Sequence, residues 1–260
     1  MINKFSIKPP IVQSAIAGIA DKVFCQKMLN FGAGMVILGG FPADKLNYEA
    51  SLKLENRGRT EFLPPTNVKD FSEWSKNNLI LSKLINNQMI AVNLRIVSID
   101  RLSKMWLNTL ENKIDVLELN LHCRQNEVLS IGGGENLLKN MSILSKLLFE
   151  ISEIIQGVKI GVKIRGSSVR EIEPLIEVLE THPISYIHID LMVKGENRAN
   201  LEQLGAVSEA TRIPVIANNS VRDIEDIKKM FKIGACAVSL ARPLINKPEF
   251  IATLIKQLEV

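Results

Sequence analysis

Along the 260-residue chain, short runs of aliphatic and β-branched residues alternate with longer stretches whose apolar positions recur at helical spacing. The runs fall at 11–16, 35–39, 89–95, 116–121, 159–164, 186–191, 214–219 and 236–241. They are almost continuously apolar, which predicts parallel strands covered on both faces. The stretches 21–32, 70–86, 99–112, 135–157, 169–182, 200–212, 221–234 and 246–260 predict amphipathic helices. Gly32, Gly157 and Gly234 each follow a helical stretch, where a left-handed terminating residue is wanted. Asp21 and Asp70 stand in N-cap positions. Eight strand–helix units with no Pro-, Gly- or Ser-rich linker between them predict one domain over residues 1–260, a (β/α)8 TIM barrel of the α/β class. The segment from Phe41 to Val68 reads as one long irregular connection, with Lys53, Arg57 and Arg59 in a solvated loop.

Composition narrows the setting. A hydrophobic fraction of 46% and a charged fraction of 23% describe an ordinary soluble globular chain. The longest apolar runs fall well short of the roughly 20 residues that cross a bilayer, so no membrane partner is expected. The opening MINKFSIKPP lacks the apolar core of a secretion signal. Three widely spaced cysteines argue against a disulfide framework and for a reducing compartment, so a cytoplasmic location is expected. The net charge of +4 permits contact with nucleic acid without requiring it.

In this fold active sites form at the C-terminal ends of the strands. Those ends read Ala17-Gly18, Gly39-Gly40, Asn93, Asn120 with Cys123, Lys163 with Arg165, His188 with Asp190, Asn218-Asn219 and Ala241-Arg242. Lys163 suits an anionic cofactor or developing negative charge, or else a salt-bridged rim position. His188 suits proton transfer near neutral pH, or a satisfied structural role. Cys123 has no partner at metal-ligand spacing, and the adjacent His122 is poorly placed to share a metal with it, so no metal site is expected. Cys25 and Cys236 read as core thiols. Gly132, Gly133 and Gly134 precede a helix, but their spacing matches neither the dinucleotide fingerprint nor a P-loop. The loops after strands seven and eight, 217–221 and 240–244, are the more usual phosphate site of a barrel, with Arg242 at hand.

Taken in order, these residues resemble the dihydrouridine synthases, flavin-dependent barrels that reduce uridine in transfer RNA. The family's cysteine motif, roughly N-x-G-C-P-x-x-K-V with a Gly-rich turn and a Leu pair after it, is matched without gaps in 120-NLHCRQNEVLSIGGGENLL-138 at Asn120, Cys123, Val128, Gly132, Gly134 and Leu137-Leu138. The opening A-P-M-A-G-V-T-D pattern is matched at Ala17, Gly18 and Asp21, and V-K-x-R at Val162, Lys163 and Arg165. His188 corresponds to the strand-six histidine, and 213-IPVIANNSV-221 with 234-GACAVSLAR-242 resembles the closing pattern. The chain departs from the pattern at Ala15, Ile16, Arg124 for proline, Glu127 for lysine, Asp190 for arginine, Asn219-Ser220 for Gly-Asp and Ala241 for glycine. It also stops at the barrel's last helix, where the family normally carries a helical domain that helps hold transfer RNA.

The resemblance implies FMN at the barrel mouth, reduced by NADPH or NADH. Ala17, Asn93, Asn120, Lys163, His188, Asn218, Asn219, Ala241 and Arg242 would contact the cofactor. Cys123 would donate a proton to C5 of the pyrimidine while hydride goes to C6, with Lys163 against the flavin and Arg165 and His188 orienting the base. The implied partner is tRNA. Two other readings remain open: a dihydroorotate-dehydrogenase-like enzyme acting on a free pyrimidine or another small molecule, and a non-catalytic barrel serving as a binding subunit.

Overall fold

A computed structural model describes residues 5–168, 172–193, 195–196 and 198–258. Residues 169–171 and 259–260, at the start and end of two expected helices, lie outside the described residues. Eight parallel strands close a barrel in sequence order. They are β1 (Ile11–Gln13), β2 (Met35–Pro42), β3 (Met89–Arg95), β4 (Val116–Leu121), β5 (Lys159–Arg165), β6 (Ile184–Asp190), β7 (Val215–Asn218) and β8 (Ala237–Leu240). Every expected strand is present, with ends moved by a few residues.

The helices are α1 (Lys22–Asn30), α2 (Lys45–Asn56), α3 (Val68–Asn78), α4 (Arg101–Leu110), α5 (Asn126–Leu129), α6 (Met141–Ile154), α7 (Glu173–Glu180), α8 (Leu201–Ala210), α9 (Ile224–Ile233), α10 (Pro243–Asn246) and α11 (Phe250–Leu258). A 3-10 turn, Gly134–Lys139, precedes α6. Among the described residues, no helix is long and apolar enough to cross a membrane. Short polar side chains start the helices by accepting orphan backbone N–H groups: Asp21 from Phe24, Asp100 from Leu102 and Ser103, Asp223 from Asp226.

Three expectations are corrected. The Phe41–Val68 connection contains α2, so Lys53 sits in a helical turn and Arg57 is that helix's C-cap. Arg57 is no free loop cation either, since it pairs with Glu127 at 2.7 Å. Asp70 does not start α3; Asn67 does, accepting from the Asp70 N–H at 2.9 Å. The expected helix 70–86 ends at Asn78, and Gln88 caps the following segment by accepting from Leu84 N–H at 2.8 Å.

Strand residues divide by parity. Outward positions such as Val92, Leu117, Leu119, Val162, Ile187 and Ile189 join the main core between barrel and helices. Inward positions at the N-terminal end of the barrel, among them Val12, Met35, Ile37, Val116, Tyr186 and Ile216, form a separate apolar plug with Phe5 and Ile7. Gly161 lies between Glu118 and Tyr186 in register. A Cβ there would fall 2.2 Å from the Tyr186 ring, so only glycine lets that ring cross the barrel floor.

Candidate active site

Above the apolar plug the same inward parity turns polar, because each strand places its last inward residues at the C-terminal mouth. β4 contributes Glu118 and Asn120, β5 Lys163 and Arg165, β6 His188 and Asp190, and β7 Asn218. In register Lys163 stands between Asn120 and His188. Glu118 is fully buried and collects donors: Asn93 Nδ2 at 2.6 Å on one oxygen, and Tyr186 OH at 3.0 Å with His188 Nδ1 at 2.7 Å on the other. Burial alone would raise its pKa, but His188, Lys163 and Asn93 together hold it down to about 2. Asn120 donates to Asn93 Oδ1 at 2.8 Å and accepts from His122 N–H at 3.1 Å. On the other side, Asn218 donates to Ser239 Oγ at 2.7 Å, and Ser239 meets His188 Nε2 at 2.7 Å.

A second buried centre lies one residue further out. Asp190 pairs with Arg165 at 2.9 Å, meets His122 Nε2 at 3.3 Å, and accepts from Asn219 Nδ2 at 2.9 Å. Burial pushes its carboxyl up, yet hydrogen bonds from His122 and Asn219 and the Arg165 charge keep it well below the usual carboxylate range. Burial, with Lys163 and Arg165 nearby, outweighs Asp190 and lowers His122 to about 4. The ring is therefore neutral at neutral pH, and because a carboxylate only accepts, its Nε2 carries the proton. Lys163 donates to Ser14 Oγ at 2.6 Å; burial lowers its pKa, with Glu118 and Asp190 opposing.

Cys123 lies just past β4, 9% exposed, against Ala50 and Leu54 of α2 and Val128 of α5. Burial raises its pKa, the Glu61 charge adds to this, and Arg95, Lys163 and Arg59 pull it back without cancelling it, so the sulfur stays a protonated thiol at neutral pH. The glycines answer to this turn. Gly134 has φ +57°, a Cβ on it would sit 2.1 Å from the Cys123 carbonyl oxygen, and Glu135 N–H donates to that oxygen at 3.0 Å. The Gly-rich segment folds back on the cysteine. Over this side lies the segment after α2, tied down where Arg95 meets Glu61 at 2.6 Å and Phe62 packs on Phe41 at 4.8 Å.

The structure thus brings Asn93, Asn120, Lys163, Arg165, His188, Asn218 and Asn219 into one mouth. Two expected roles change character there: both ring nitrogens of His188 are engaged inside the barrel, and Asn93 has its amide oxygen and nitrogen committed to Asn120 and Glu118. Arg242 stands apart, exposed, with Nη2 3.4 Å from Met192 Sδ. It lines a groove of about 590 Å³ with Asn219, Ser220, Arg222 and Lys247, between the loops after β7 and β8. Ala17 and Ala241 are half-buried beside these loops and bring no polar side chain. Sequence reasoning missed Glu118, Ser239 and the Glu61–Arg95 pair. The one available signal was Glu118 itself, an ionisable residue sharing parity with Asn120 inside an otherwise aliphatic strand.

The family model for dihydrouridine synthase (Dus) matches residues 69–259, which hold strands β3 to β8 of this barrel. The chain belongs to the dihydrouridine synthase family. Membership makes it an oxidoreductase of the dihydrouridine synthase type. An uncharacterized protein of Methanocaldococcus jannaschii is 30% identical over 258 residues, covering 98% of this chain and 96% of that one. tRNA-dihydrouridine synthase B of Vibrio vulnificus is 22% identical, covering 95% of this chain and 71% of its own length. Among solved structures, DHODH of Eimeria tenella in complex with ferulenol superposes with a TM-score of 0.62 at 13% identity, over 95% of this chain and 79% of that one. A FabK (M276A) mutant from Thermotoga maritima gives 0.52 at 16% identity over 92% of this chain, which spans 63% of that protein. These structural likenesses carry the fold.

Departures from the family pattern have local partners. Glu127, in place of lysine, is matched by Arg57. Asp190, in place of arginine, is matched by Arg165 and by His122, which itself stands where the pattern has glycine. Asn219, in place of glycine, keeps the left-handed backbone at φ +60°, which asparagine tolerates better than most residues, and its side chain turns back to Asp190.

Proposed function

We propose that this chain is an FMN-dependent reductase of the C5=C6 bond of uridine in tRNA, working in the cytoplasm as one barrel domain over residues 1–260. The observation that carries this reading is Cys123. It is a buried thiol kept protonated, at the strand-four mouth, folded against its Gly-rich turn and within the field of Lys163. The donor set fits FMN. Arg165 Nε and His122 Nδ1 are buried at the mouth with no hydrogen-bond partner among the described residues, and the groove beyond β7 and β8 carries Arg222, Arg242 and Lys247 for a phosphate. Bound FMN would pass hydride from NADPH or NADH to the pyrimidine C6.

The chain's own residues do the rest. Asn120, through its second amide hydrogen, and Lys163 would hold the cofactor, with Asn93 fixing the Asn120 amide from below. The Cys123 thiol gives its proton to C5 as C6 receives hydride, and the covering segment with Glu61 and Phe62 keeps bulk water from the sulfur. Arg165, held by Asp190, faces the base. The test is direct. FMN titrated into purified protein should give bound-flavin absorbance, and with NADPH the protein should raise the dihydrouridine content of tRNA from a strain lacking its gene. Protein that takes up no flavin would sink the cofactor reading. Unchanged dihydrouridine at every site would reject tRNA as substrate.

A further inference from the structure

Two chains of hydrogen bonds in the barrel interior converge on Glu118. On the thiol side, Asn120 Nδ2 donates to Asn93 Oδ1, and Asn93 Nδ2 donates to Glu118 Oε1. This leaves Asn120 Oδ1 free to accept the backbone N–H of His122, next to Cys123. On the opposite side, Asn218 Nδ2 donates to Ser239 Oγ, which is 2.7 Å from His188 Nε2, and His188 Nδ1 is 2.7 Å from Glu118 Oε2. Tyr186 OH donates to the same oxygen. An ionised carboxylate accepts only, so it forces the groups that touch it: His188 carries its proton on Nδ1, Ser239 donates to Nε2, and Asn93 presents its nitrogen, in agreement with the backbone groups that fix Asn120 and Asn218. A side-chain amide can be turned either way at almost no cost in shape, so some group has to choose the direction.

We propose that Glu118 is the positioning residue of this site, setting the hydrogen-bond direction of both halves of the mouth at once. Through Asn93 and Asn120 it anchors the turn that carries Cys123. Through His188 it fixes the direction of the Ser239 hydroxyl, which with the Ser239 carbonyl oxygen receives Asn218 Nδ2, on the strand leading to the groove beyond β7 and β8. A neutral amide at this place cannot keep both branches as they are, because its nitrogen faces either the Asn93 donor or the His188–Tyr186 pair, which can receive it only if His188 moves its proton to Nε2 and that branch reverses. The consequence for the cofactor rests on the flavin reading; the direction itself does not.

The polarity is tested by reversing it twice. Glu118→Gln alone either sets two amide nitrogens face to face at Asn93 or moves the His188 proton to Nε2 and reverses that branch. Asn93→Asp alone sets two carboxylates face to face. Combined, the introduced amide donates to the introduced carboxylate, keeps its oxygen for His188 and Tyr186, and the carboxylate still accepts from Asn120. Two readouts follow the site without turnover: the rate of iodoacetamide alkylation at Cys123, read by peptide mass spectrometry, and FMN affinity. Losing a buried hydrogen bond to a charged group corresponds to roughly tenfold or more. Each single variant should therefore alkylate about tenfold faster and bind FMN about tenfold more weakly, while the double variant returns to within about threefold of wild type. A single Glu118→Gln variant indistinguishable from wild type overturns the proposal, as does a folded double variant no nearer wild type than the singles. If Glu118→Gln does not fold, the double variant must; failure of both to fold also overturns it. Should wild type take up no FMN, the flavin reading fails while the alkylation order still decides the polarity.

Discussion

The floor and the mouth of this barrel are built from the same strands at the same parity, yet they solve opposite problems. At the floor, Val12, Met35, Ile37, Val116 and Ile216 point inward and Phe5 and Ile7 close the end, so stability comes from displaced water and close packing. A turn or so higher along each strand, Asn93, Glu118, Lys163, His188 and Ser239 occupy equivalent inward positions, nearly as buried. There burial costs free energy, offset only because the charges are paired and the donors matched. The outward residues are mostly aliphatic along the strands, with Gln13, which accepts from the Cys25 thiol, as an exception. Chemistry in this chain is written in one parity, and only in its upper half.

Four measurements would sharpen or break that contrast. The largest effect is expected at the mouth: Cys123→Ala should slow pyrimidine reduction by about a hundredfold or more while flavin binding and thermal stability hold, as stopped-flow and melting curves would show. Equal turnover would remove Cys123 as the proton donor. At the floor, Ile37→Ala should cost about 2–5 kcal/mol of unfolding free energy in urea, with Cys123 alkylation in the native state unchanged. Gly161→Ala, forcing a methyl group into the Tyr186 ring, should cost about 1–3 kcal/mol; no loss of stability would mean that the ring does not lie across the floor. The smallest effect is expected for Asn219→Gly, which keeps the left-handed backbone but gives up the bond to Asp190, and should change stability by no more than about 1 kcal/mol.

Acid should expose the mouth before the floor. His122 is lowered to about 4, so as pH falls below its unfolded value the unfolded chain takes the proton first and the native state loses stability until about pH 4. His188, lowered by burial, acts in the same direction. Glu118, held at about 2, adds stability that is present above the unfolded carboxyl range and lost as pH falls from there towards 2. The melting temperature should thus fall by several degrees between about pH 6.5 and 4, and His122→Asn should flatten that fall. An unchanged slope would place the proton uptake elsewhere.

Much of this was legible in the chain. The eight runs gave the strands, and polar residues after them gave the mouth. The network itself was not, because Glu118 meets partners 25 and 70 residues away, and pairing at that distance follows from barrel closure rather than from any local pattern. α2 stayed hidden for another reason. Its buried face carries Asn47 and Ser51 beside Ala50 and Leu54, Asn47 donating to Asp44 and Ser51 accepting from Arg95, so the apolar period that reveals a helix is interrupted by polar residues with buried partners. Glu127 is legible in the chain only as a departure from the family's lysine, because its partner Arg57 lies far off in sequence.

That Arg57–Glu127 contact, and the His122–Asp190 contact like it, have a consequence for the routes by which such a barrel can change. Lysine at position 127 alone would set two cations face to face beside the thiol; arginine at 190 alone would take from His122 Nε2 the carboxylate it meets. Each residue is acceptable only in the company of the other, so the order of substitution matters. A substitution at one member of either pair should therefore cost stability unless its partner changes with it.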